Sequence, residues 1–366
     1  MQYNWFPVPK LATAPQQKRV KLSAECLKNG IIVRSPNWLG DAVMTLPALV
    51  QLRKLLGDNG KLYVVCPPGL KKFYEMTNVV SEVVPLHKAH KRWSEDDILA
   101  VRDLNCDIAL MFNNSLRDAI YFFLSHVKYR FGAAARFRGF LLKRAFKYPK
   151  RVSGNLNKLH HAEKYLTMAY ALGAKKWKGD MPIFTVAKEE SIMSNDVKKL
   201  LANKPIMLMA AGAAYGGSKR WSSKKFNEVA KRWITEKGGM VGVLGTAVES
   251  DIAQKVVGDL DAEKCFNLAG KTDFDELIYL LQNCEICIAN DSGIMHLAGA
   301  LGKKGVAIFG PTDPSATKPV SVYWDVIMNK ERCAPCFKRE CPKNKAVCME
   351  NVSVDEVWHA VEKLTD

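Results

Sequence analysis

The stretch NDSGIMHLA at residues 290–298, followed by GKKGVAIFGP at residues 302–311, decides the fold of this chain. An apolar strand at 286–289 leads into a polar turn, a helix begins after Ser292 and Gly293, and a second apolar strand follows at 306–309. The free N–H groups at such a helix start bind anions such as phosphate. Asp291 and His296 add hydrogen-bonding groups, so the stretch predicts a site for a phosphorylated, hydroxyl-rich ligand at the carboxyl end of a strand.

The rest of the chain also alternates strands and helices, which predicts an α/β fold with parallel sheets. The pattern runs once through the first half and restarts near residue 205. We therefore expect two Rossmann-like domains whose sheets face a cleft between them. The predicted divisions are a poorly structured basic lead-in at 1–30, an N-terminal domain at 31–185, a C-terminal domain at 186–350 and a closing helix at 351–366.

Composition restricts the class of protein. The 366 residues are 48% hydrophobic and 25% charged, which is typical of a globular protein and excludes a disordered one. No apolar run is long enough to span a bilayer, and the first residues do not resemble a secretory signal, so we expect a cytoplasmic location. The formal net charge of +17 indicates an anionic partner, which could be nucleic acid, a phosphorylated small molecule or a membrane surface.

The positive charge is concentrated in residues 128–151. No acidic residue occurs between Asp118 and Glu163, and aromatic side chains alternate with the basic ones. This pattern predicts a surface that faces an anion or a membrane, with a solvated basic face as the alternative. The basic residues are Lys128, Arg130, Arg136, Arg138, Lys143, Arg144, Lys147, Lys150 and Arg151.

Two further loops follow predicted strands and carry polar groups. In SPNWLGD at 35–41, Asp41 stands at a helix start, where it is a helix N-cap, a catalytic carboxylate or both. In AGAAYGGSKRW at 211–221, small residues permit close approach of the backbone, and Ser218 and Lys219 suit a diphosphate. The alternative for this second loop is a flexible turn with a solvated Lys-Arg pair; it lacks the spacing of a P-loop.

Four of the ten cysteines are clustered near the C-terminus in the pattern C-x2-C-x4-C-x6-C. Four thiols at this spacing predict either a structural zinc site or free thiols and disulfides. The cluster consists of Cys333, Cys336, Cys341 and Cys348.

Taken together, four ordered segments make the chain resemble the family 9 glycosyltransferases from about residue 31 to the C-terminus. One departure is Ser222, which stands where the family often has proline and which we expect to cap the following helix. The four segments are SPNWLGDAVMTLPAL at 35–49, AAGAAYGGSKRW at 210–221, LAGKTDFDEL at 268–277 and NDSGIMHLAGALGKKGVAIFGPTDP at 290–314.

The resemblance implies a GT-B architecture and an inverting, metal-independent transfer of heptose. The implied donor is ADP-L-glycero-D-manno-heptose, and the implied acceptor is an inner-core heptose of a lipopolysaccharide precursor. Asp41 becomes the candidate general base, and Lys219 the residue that faces the donor diphosphate. Further donor-binding candidates are Ser218, Glu249 for the ribose, the turn Asp291-Ser292-Gly293, and His296.

The same resemblance gives the basic stretch a role. The implied acceptor is a phosphorylated glycolipid, Kdo2–lipid A with heptose, at the inner face of the cytoplasmic membrane. The acceptor-binding candidates are Arg136, Arg138, Lys143 and Arg144, and the protein would be peripheral to that membrane. The alternatives are a family 9 transferase for another core heptose or nucleotide sugar, and a basic nucleic-acid-binding protein. The chain lacks the spacing of known nucleic-acid-binding motifs, which argues against the last alternative.

Overall fold

The computed structural model describes residues 1–11, 17–87, 92–148, 159–202, 205–343 and 345–366. The chain forms two compact units, Met1–Thr185 and Val186–Asp366. Within the described residues, no helix has both the length and the apolar character needed to cross a bilayer.

The N-terminal unit contains eight strands and seven α-helices among its described residues. The strands are β1 (Asn4–Trp5), β2 (Ile31–Arg34), β3 (Leu62–Cys66), β4 (Glu82–Pro85), β5 (Ile108–Met111), β6 (Tyr129–Ala133), β7 (Arg144–Phe146) and β8 (Asp180–Met181). The helices are α1 (Ala24–Lys28), α2 (Leu39–Met44), α3 (Leu46–Leu56), α4 (Lys71–Glu75), α5 (Glu95–Asp103), α6 (Leu116–Leu124) and α7 (His161–Leu172). Short 3-10 turns lie at Pro68–Leu70 and Arg138–Leu141.

Six of these strands form one parallel sheet in the order β4-β3-β2-β5-β6-β7. The two central strands, β2 and β5, are buried throughout, as expected for a sheet that is covered on both faces. The strand order reverses between β2 and β5, because β3 and β4 extend the sheet to one side and β6 and β7 to the other. Ligands bind at such a switch point, outside the carboxyl ends of the strands.

The described part of the lead-in is ordered against the N-terminal unit, which contradicts the prediction of a poorly structured segment. Strand β1 pairs antiparallel with β8, and the indole nitrogen of Trp5 donates a 2.8 Å hydrogen bond to the carbonyl of Lys178. Helix α1 is capped by Ser23, whose hydroxyl accepts a hydrogen bond from the N–H of Cys26. Sequence patterning missed β1 because a two-residue strand has no detectable periodicity.

The C-terminal unit contains six strands and eight α-helices among its described residues. The strands are β9 (Ile206–Ala210), β10 (Met240–Val243), β11 (Cys265–Asn267), β12 (Ile286–Asn290), β13 (Lys304–Phe309) and β14 (Trp324–Met328). The helices are α8 (Asn195–Ala202), α9 (Ser223–Glu236), α10 (Ser250–Val257), α11 (Phe274–Asn283), α12 (Gly293–Ala300), α13 (Pro314–Thr317), α14 (Val347–Glu350) and α15 (Val354–Thr365). Short 3-10 turns lie at Glu190–Ile192, Gly217–Lys219 and Ala247–Glu249.

Its parallel sheet has the order β11-β10-β9-β12-β13-β14, which is the same topology as in the first unit. The switch point therefore lies between β9 and β12. The apolar core of this unit includes Trp221 from the loop before α9, and Phe226 and Trp233 from α9 itself. The closing helix α15 packs its buried face into the same core through Val357 and Val361.

The prediction that Ser222 caps α9 is only half right. Ser222 occupies the N-cap position, but its side chain makes no capping hydrogen bond to the helix. The chain just before the helix is bonded to strand β12 instead, because Asn290 Oδ1 accepts a 3.1 Å hydrogen bond from the N–H of Trp221.

Candidate active site

The C-terminal switch point brings together a buried ion pair from two distant loops. Lys219 Nζ donates a 2.6 Å hydrogen bond to Asp291 Oδ2, with side chains 11% and 6% exposed. Thr312, in the loop after β13, donates its hydroxyl to the same oxygen at 2.7 Å. His296 Nε2 lies 3.9 Å from Asp291 Oδ1. We call these four residues the Lys219 cluster; it joins three predicted residues with Thr312, which the sequence analysis missed.

Asn290 fixes the geometry of this cluster. As the last residue of β12, it donates through Nδ2 to the carbonyl of Ala211 at 2.7 Å while its Oδ1 accepts from Trp221. The side chain thus ties both ends of the Gly-rich loop to the strand that carries Asp291. Because Asn290 is fully buried, these bonds also satisfy its polar side-chain atoms, which would otherwise lower the stability of the fold.

The predicted helix start is present beside the cluster. Gly293 is the first residue of α12, and Ser292 is its N-cap, with a hydroxyl that accepts from the N–H of Met295 at 3.5 Å. An anion near this helix start would meet backbone N–H groups and the positive end of the helix dipole. Asp291, directly before the cap, holds the ammonium group of Lys219 at the same end of β12.

The structure gives Ser218 a role different from the one predicted. Its hydroxyl donates a 2.5 Å hydrogen bond to the carbonyl of Lys338, and its N–H donates to the carbonyl of Arg339 at 3.1 Å. Glu340 accepts from the N–H of Gly217 at 3.0 Å. The segment 337–340 therefore anchors the Gly-rich loop, and the Ser218 hydroxyl is engaged with protein. This argues against Ser218 as a direct phosphate ligand.

Glu249 approaches the start of the Gly-rich loop. Its carboxylate accepts 2.9 Å hydrogen bonds from the N–H and the hydroxyl of Thr246, so it closes a capping box. A Cβ atom added to Gly212 would lie 2.0 Å from Glu249 Oε1, so any larger residue at position 212 would displace the Glu249 carboxylate. Glu249 is half-buried and lies beyond the carboxyl end of β10. Its role towards a ribose stays a prediction.

In the N-terminal unit, Asp41 lies in the first turn of α2 rather than at its N-cap. Trp38 occupies the N-cap position, which makes the N-cap interpretation of Asp41 wrong. Asp41 Oδ1 lies 3.2 Å from Nδ1 of His161, the first residue of α7. The two side chains are 31% and 33% exposed, so both reach solvent while contacting each other. The helix start at Asp41 could be predicted from the sequence, whereas its contact with His161 could not.

Tyr165 lies one helical turn beyond His161 and is the buried neighbour of the Asp41–His161 pair. Burial raises the pKa of Tyr165, and the negative charge of Asp41 raises it further. Its ring packs against Phe112 with centroids 4.7 Å apart. The phenol therefore stays protonated at physiological pH.

A buried ion pair supports the loop that carries Asp41. Arg34, the last residue of β2, donates through Nε to Asp118 at 2.8 Å and through Nη2 to Asn37 at 2.9 Å. Burial lowers the pKa of Arg34, and the carboxylate of Asp118 partly offsets this effect. Because the guanidinium group also donates to the carbonyl of Ser35, it holds the loop between β2 and α2 in one conformation.

The four acceptor-binding candidates are not equivalent. Arg138 is fully buried and donates to the carbonyls of Ala133 at 3.0 Å and Ser115 at 3.3 Å, so it is a structural residue. Burial lowers its pKa to about 10. Arg144 is half-buried and donates to the carbonyl of Lys18. Arg136 and Lys143 are exposed. Lys150 and Arg151 of the basic stretch lie outside the described residues.

Of the two alternatives for the cysteine cluster, the described residues give the zinc site no support. Among the described residues, no group of three or more histidines, cysteines and carboxylates is arranged to hold a metal ion. The four cysteines are free thiols: Cys333 is exposed, whereas Cys348 is buried, close to Gly310. Cys341 donates to the carbonyl of Lys345 at 3.2 Å.

Comparison with known proteins adds the family. Residues 99–347 match glycosyltransferase family 9 (heptosyltransferase). The chain is 28% identical over 305 residues to lipopolysaccharide heptosyltransferase 2 of Salmonella typhimurium, which covers 80% of this chain and 85% of the relative. It is 25% identical over 340 residues to lipooligosaccharide heptosyltransferase 2 of Campylobacter jejuni, covering 92% and 99%.

Solved structures agree on the fold. The ADP-heptose LPS heptosyltransferase II of E. coli superimposes with a TM-score of 0.73 at 24% identity, covering 92% of this chain and 98% of that one. A family 9 glycosyltransferase of Veillonella parvula gives 0.74 at 22% identity, covering 92% and 96%. The chain belongs to glycosyltransferase family 9, so it is a glycosyltransferase, and the predicted fold of two Rossmann-like domains is confirmed.

Proposed function

We propose that this protein transfers heptose from ADP-L-glycero-D-manno-heptose to an inner-core heptose of a lipopolysaccharide precursor, as a transferase of the heptosyltransferase II type. The observation that carries the proposal is the similarity, over 80% of the chain, to relatives named heptosyltransferase 2. The side chains at the two switch points supply groups with the chemistry that this reaction needs.

In the proposed reaction, Asp41 accepts the proton of the acceptor hydroxyl as the hydroxyl oxygen attacks the anomeric carbon of heptose. The bond from that carbon to the diphosphate oxygen breaks, and its electron pair leaves with ADP. Attack from the face opposite the leaving group inverts the anomeric configuration. The partial exposure of Asp41 and its contact with His161 support this role, because a base has to be both reachable and oriented.

Lys219 is proposed to face the donor diphosphate. Its ammonium group is held at the carboxyl edge of the second sheet by Asp291, so its position is set before the donor arrives. Charge that develops on the departing ADP would then meet a fixed cation and the N–H groups at the start of α12. Glu249, at the end of the neighbouring strand β10, is the proposed partner of the ribose hydroxyls.

The proposed acceptor is a phosphorylated glycolipid at the inner face of the cytoplasmic membrane. Of the predicted acceptor residues, Arg136 and Lys143 support this role best, since both are exposed and cationic. The burial of Arg138 supports a structural role instead. The proposed location is peripheral to that membrane.

A substrate matrix tests the proposal. The wild-type chain is incubated with ADP-heptose, UDP-sugars or GDP-sugars, and each donor is combined with Kdo2–lipid A that carries either no heptose or one. Mass spectrometry should show one added heptose only with ADP-heptose and the monoheptosylated acceptor. Transfer to the acceptor without heptose would make it a different family 9 transferase, and transfer from another nucleotide sugar would overturn the donor assignment.

A further inference from the structure

Helix α6 and the 3-10 turn at Arg138–Leu141 together expose an unusual number of large apolar side chains. Phe137 is 94% exposed and Phe140 is 80% exposed, and three residues of α6 add further apolar surface. We call this surface the aromatic face; it consists of Ile120, Phe123, Leu124, Phe137 and Phe140. Exposed apolar patches of this kind mark interaction sites, because aromatic side chains left in water do not contribute the free energy that their burial would provide.

The turn that carries the two phenylalanines is held in place from below. Arg138, between them in the chain, is fully buried and donates to the carbonyls of Ala133 and of Ser115, the residue that caps α6. Arg136 and Phe137 have φ angles of 47° and 57°, a left-handed conformation that bulky residues rarely adopt. Phe137 and Phe140 therefore point outward because the backbone is fixed, and strained positions of this kind cluster at functional sites.

The charges around the aromatic face identify the partner. Lys128, Arg136 and Lys143 are exposed, and the guanidinium carbon of Arg130 lies 5.2 Å from the ring centroid of Phe123. Asp118, the only acidic residue of α6, is buried against Arg34. A second copy of this chain would bring the same positive charges against each other, which disfavours self-association. Aromatic side chains framed by cations fit a surface that is apolar inside and anionic outside.

A groove of about 640 Å³ beside Phe137 has the same mixed chemistry. Apolar side chains and two arginines share its wall, so it can receive a phosphate group together with the first part of an acyl chain. Its lining residues are Ser115, Leu116, Arg117, Ile120, Arg136 and Phe137.

We propose that the aromatic face docks the enzyme on a bilayer of anionic phospholipids, with Phe137 and Phe140 at the depth of the head groups and the surrounding lysines and arginines against the phosphates. This inference deepens the proposed function and rests on it, because a lipid-linked acceptor is reached at such a surface. It assigns the membrane contact to Phe137 and Phe140 of the basic stretch and adds the exposed apolar residues of α6, which lie before that stretch.

Vesicle sedimentation with the full chain tests the proposal. The wild type should bind vesicles of phosphatidylcholine with about 30% phosphatidylglycerol and bind pure phosphatidylcholine poorly. The double variant Phe137→Ser/Phe140→Ser should bind at least about tenfold more weakly, and Lys143→Glu about fivefold more weakly. Ile192→Ser and Lys176→Glu, which change an exposed apolar residue and an exposed lysine elsewhere, should bind like the wild type.

Two outcomes would overturn the docking surface: a wild type that ignores anionic vesicles, or a folded double variant that binds them like the wild type. If circular dichroism shows that the double variant is misfolded, Lys143→Glu decides instead. Transfer to a deacylated, soluble acceptor separates this inference from the proposed function. A wild type that binds vesicles through this face but transfers no heptose would refute the transferase proposal and leave the docking surface intact.

Discussion

Lys219 Nζ lies 2.6 Å from Asp291 Oδ2, although 72 residues separate the two in the chain. The strands β9 and β12 flank the second switch point. Asp291 directly follows β12, and Lys219 lies in the loop that follows β9. The pair therefore places a positive charge where nucleotides bind in doubly wound sheets. Because both side chains are nearly buried, the pair is sensitive to the loss of either partner.

We expect Lys219→Met to lower kcat/KM for ADP-heptose by about 10²–10³-fold, since a fixed cation at the leaving group is lost. The melting temperature should fall by several degrees, because the nearly buried carboxylate of Asp291 loses its ammonium partner while it keeps the hydroxyl of Thr312. Steady-state kinetics and thermal unfolding measure the two effects. Lys224→Met removes an exposed lysine of the following helix and is the control. Normal turnover in Lys219→Met would refute the role of Lys219.

Gly212→Ala tests the predicted contact of Glu249 with the donor. The added methyl group would collide with the Glu249 carboxylate and displace it. We expect a rise in the Kd for ADP-heptose of about tenfold, comparable to the effect of Glu249→Gln. Calorimetric titration measures both variants, and Val248→Ala, at the exposed neighbour of Glu249, serves as the control. Unchanged donor affinity in Gly212→Ala and in Glu249→Gln would remove Glu249 from the site.

His161 is expected to orient Asp41 rather than to touch the reacting atoms. We expect His161→Ala to lower kcat about tenfold with little change in the Kd for ADP-heptose, whereas His161→Gln, which can still donate a hydrogen bond, should keep more activity. Rescue by the conservative variant distinguishes positioning from a structural role, and His359→Gln is the control at an exposed histidine. Equal activity of His161→Ala and the wild type would contradict the expectation.

The pH dependence of stability should reflect Asp97 in the N-terminal unit. Burial alone would raise the pKa of Asp97, but hydrogen bonds from His87 and from the N–H groups of Ser94 and His87 hold the pKa below its usual value. The resulting stabilisation is present above about pH 4 and is lost as pH falls through the lowered pKa. The melting temperature of Asp97→Asn should therefore be lower at neutral pH and depend less on pH between about 5 and 2.

The control for this experiment is Asp103→Asn, at an exposed position of the same helix. It should keep the melting temperature and the acid slope of the wild type. If Asp97→Asn retained the wild-type slope, Asp97 would not be the group that titrates with unfolding.

The central strands of both sheets could be predicted from the sequence because they are buried on both faces and read as continuous apolar runs. Strand β12, predicted at 286–289, spans Ile286–Asn290, and β13, predicted at 306–309, spans Lys304–Phe309. Strands β6 and β7 could not be predicted, because they lie towards the sheet edge and carry Arg130 and Arg144 among their aromatic residues. The alternation of basic and aromatic residues that predicts an anion-facing surface also obscures the strands that support it.

The loops of the candidate site could also be predicted, since they follow strands and carry polar residues. The contacts within them could not. His161 contacts Asp41 although 120 residues separate them in the chain. The carbonyl of Lys338 accepts a hydrogen bond from Ser218 at the same separation in sequence. No local periodicity records such pairs, because they depend on how strands and helices pack. The choice between zinc and free thiols at the cysteine cluster could not be made from the sequence either, because cysteine spacing does not determine the geometry of four thiols; among the described residues the structure supports no metal site.

The most direct test of the proposed reaction is single-turnover transfer from ADP-heptose to monoheptosylated Kdo2–lipid A, read by mass spectrometry, with wild type, Asp41→Asn and the control Asp103→Asn. We predict that Asp41→Asn binds ADP-heptose normally but transfers heptose at least about 10²-fold more slowly, while the control matches the wild type. Near-normal transfer by Asp41→Asn would contradict the assignment of Asp41 as the general base.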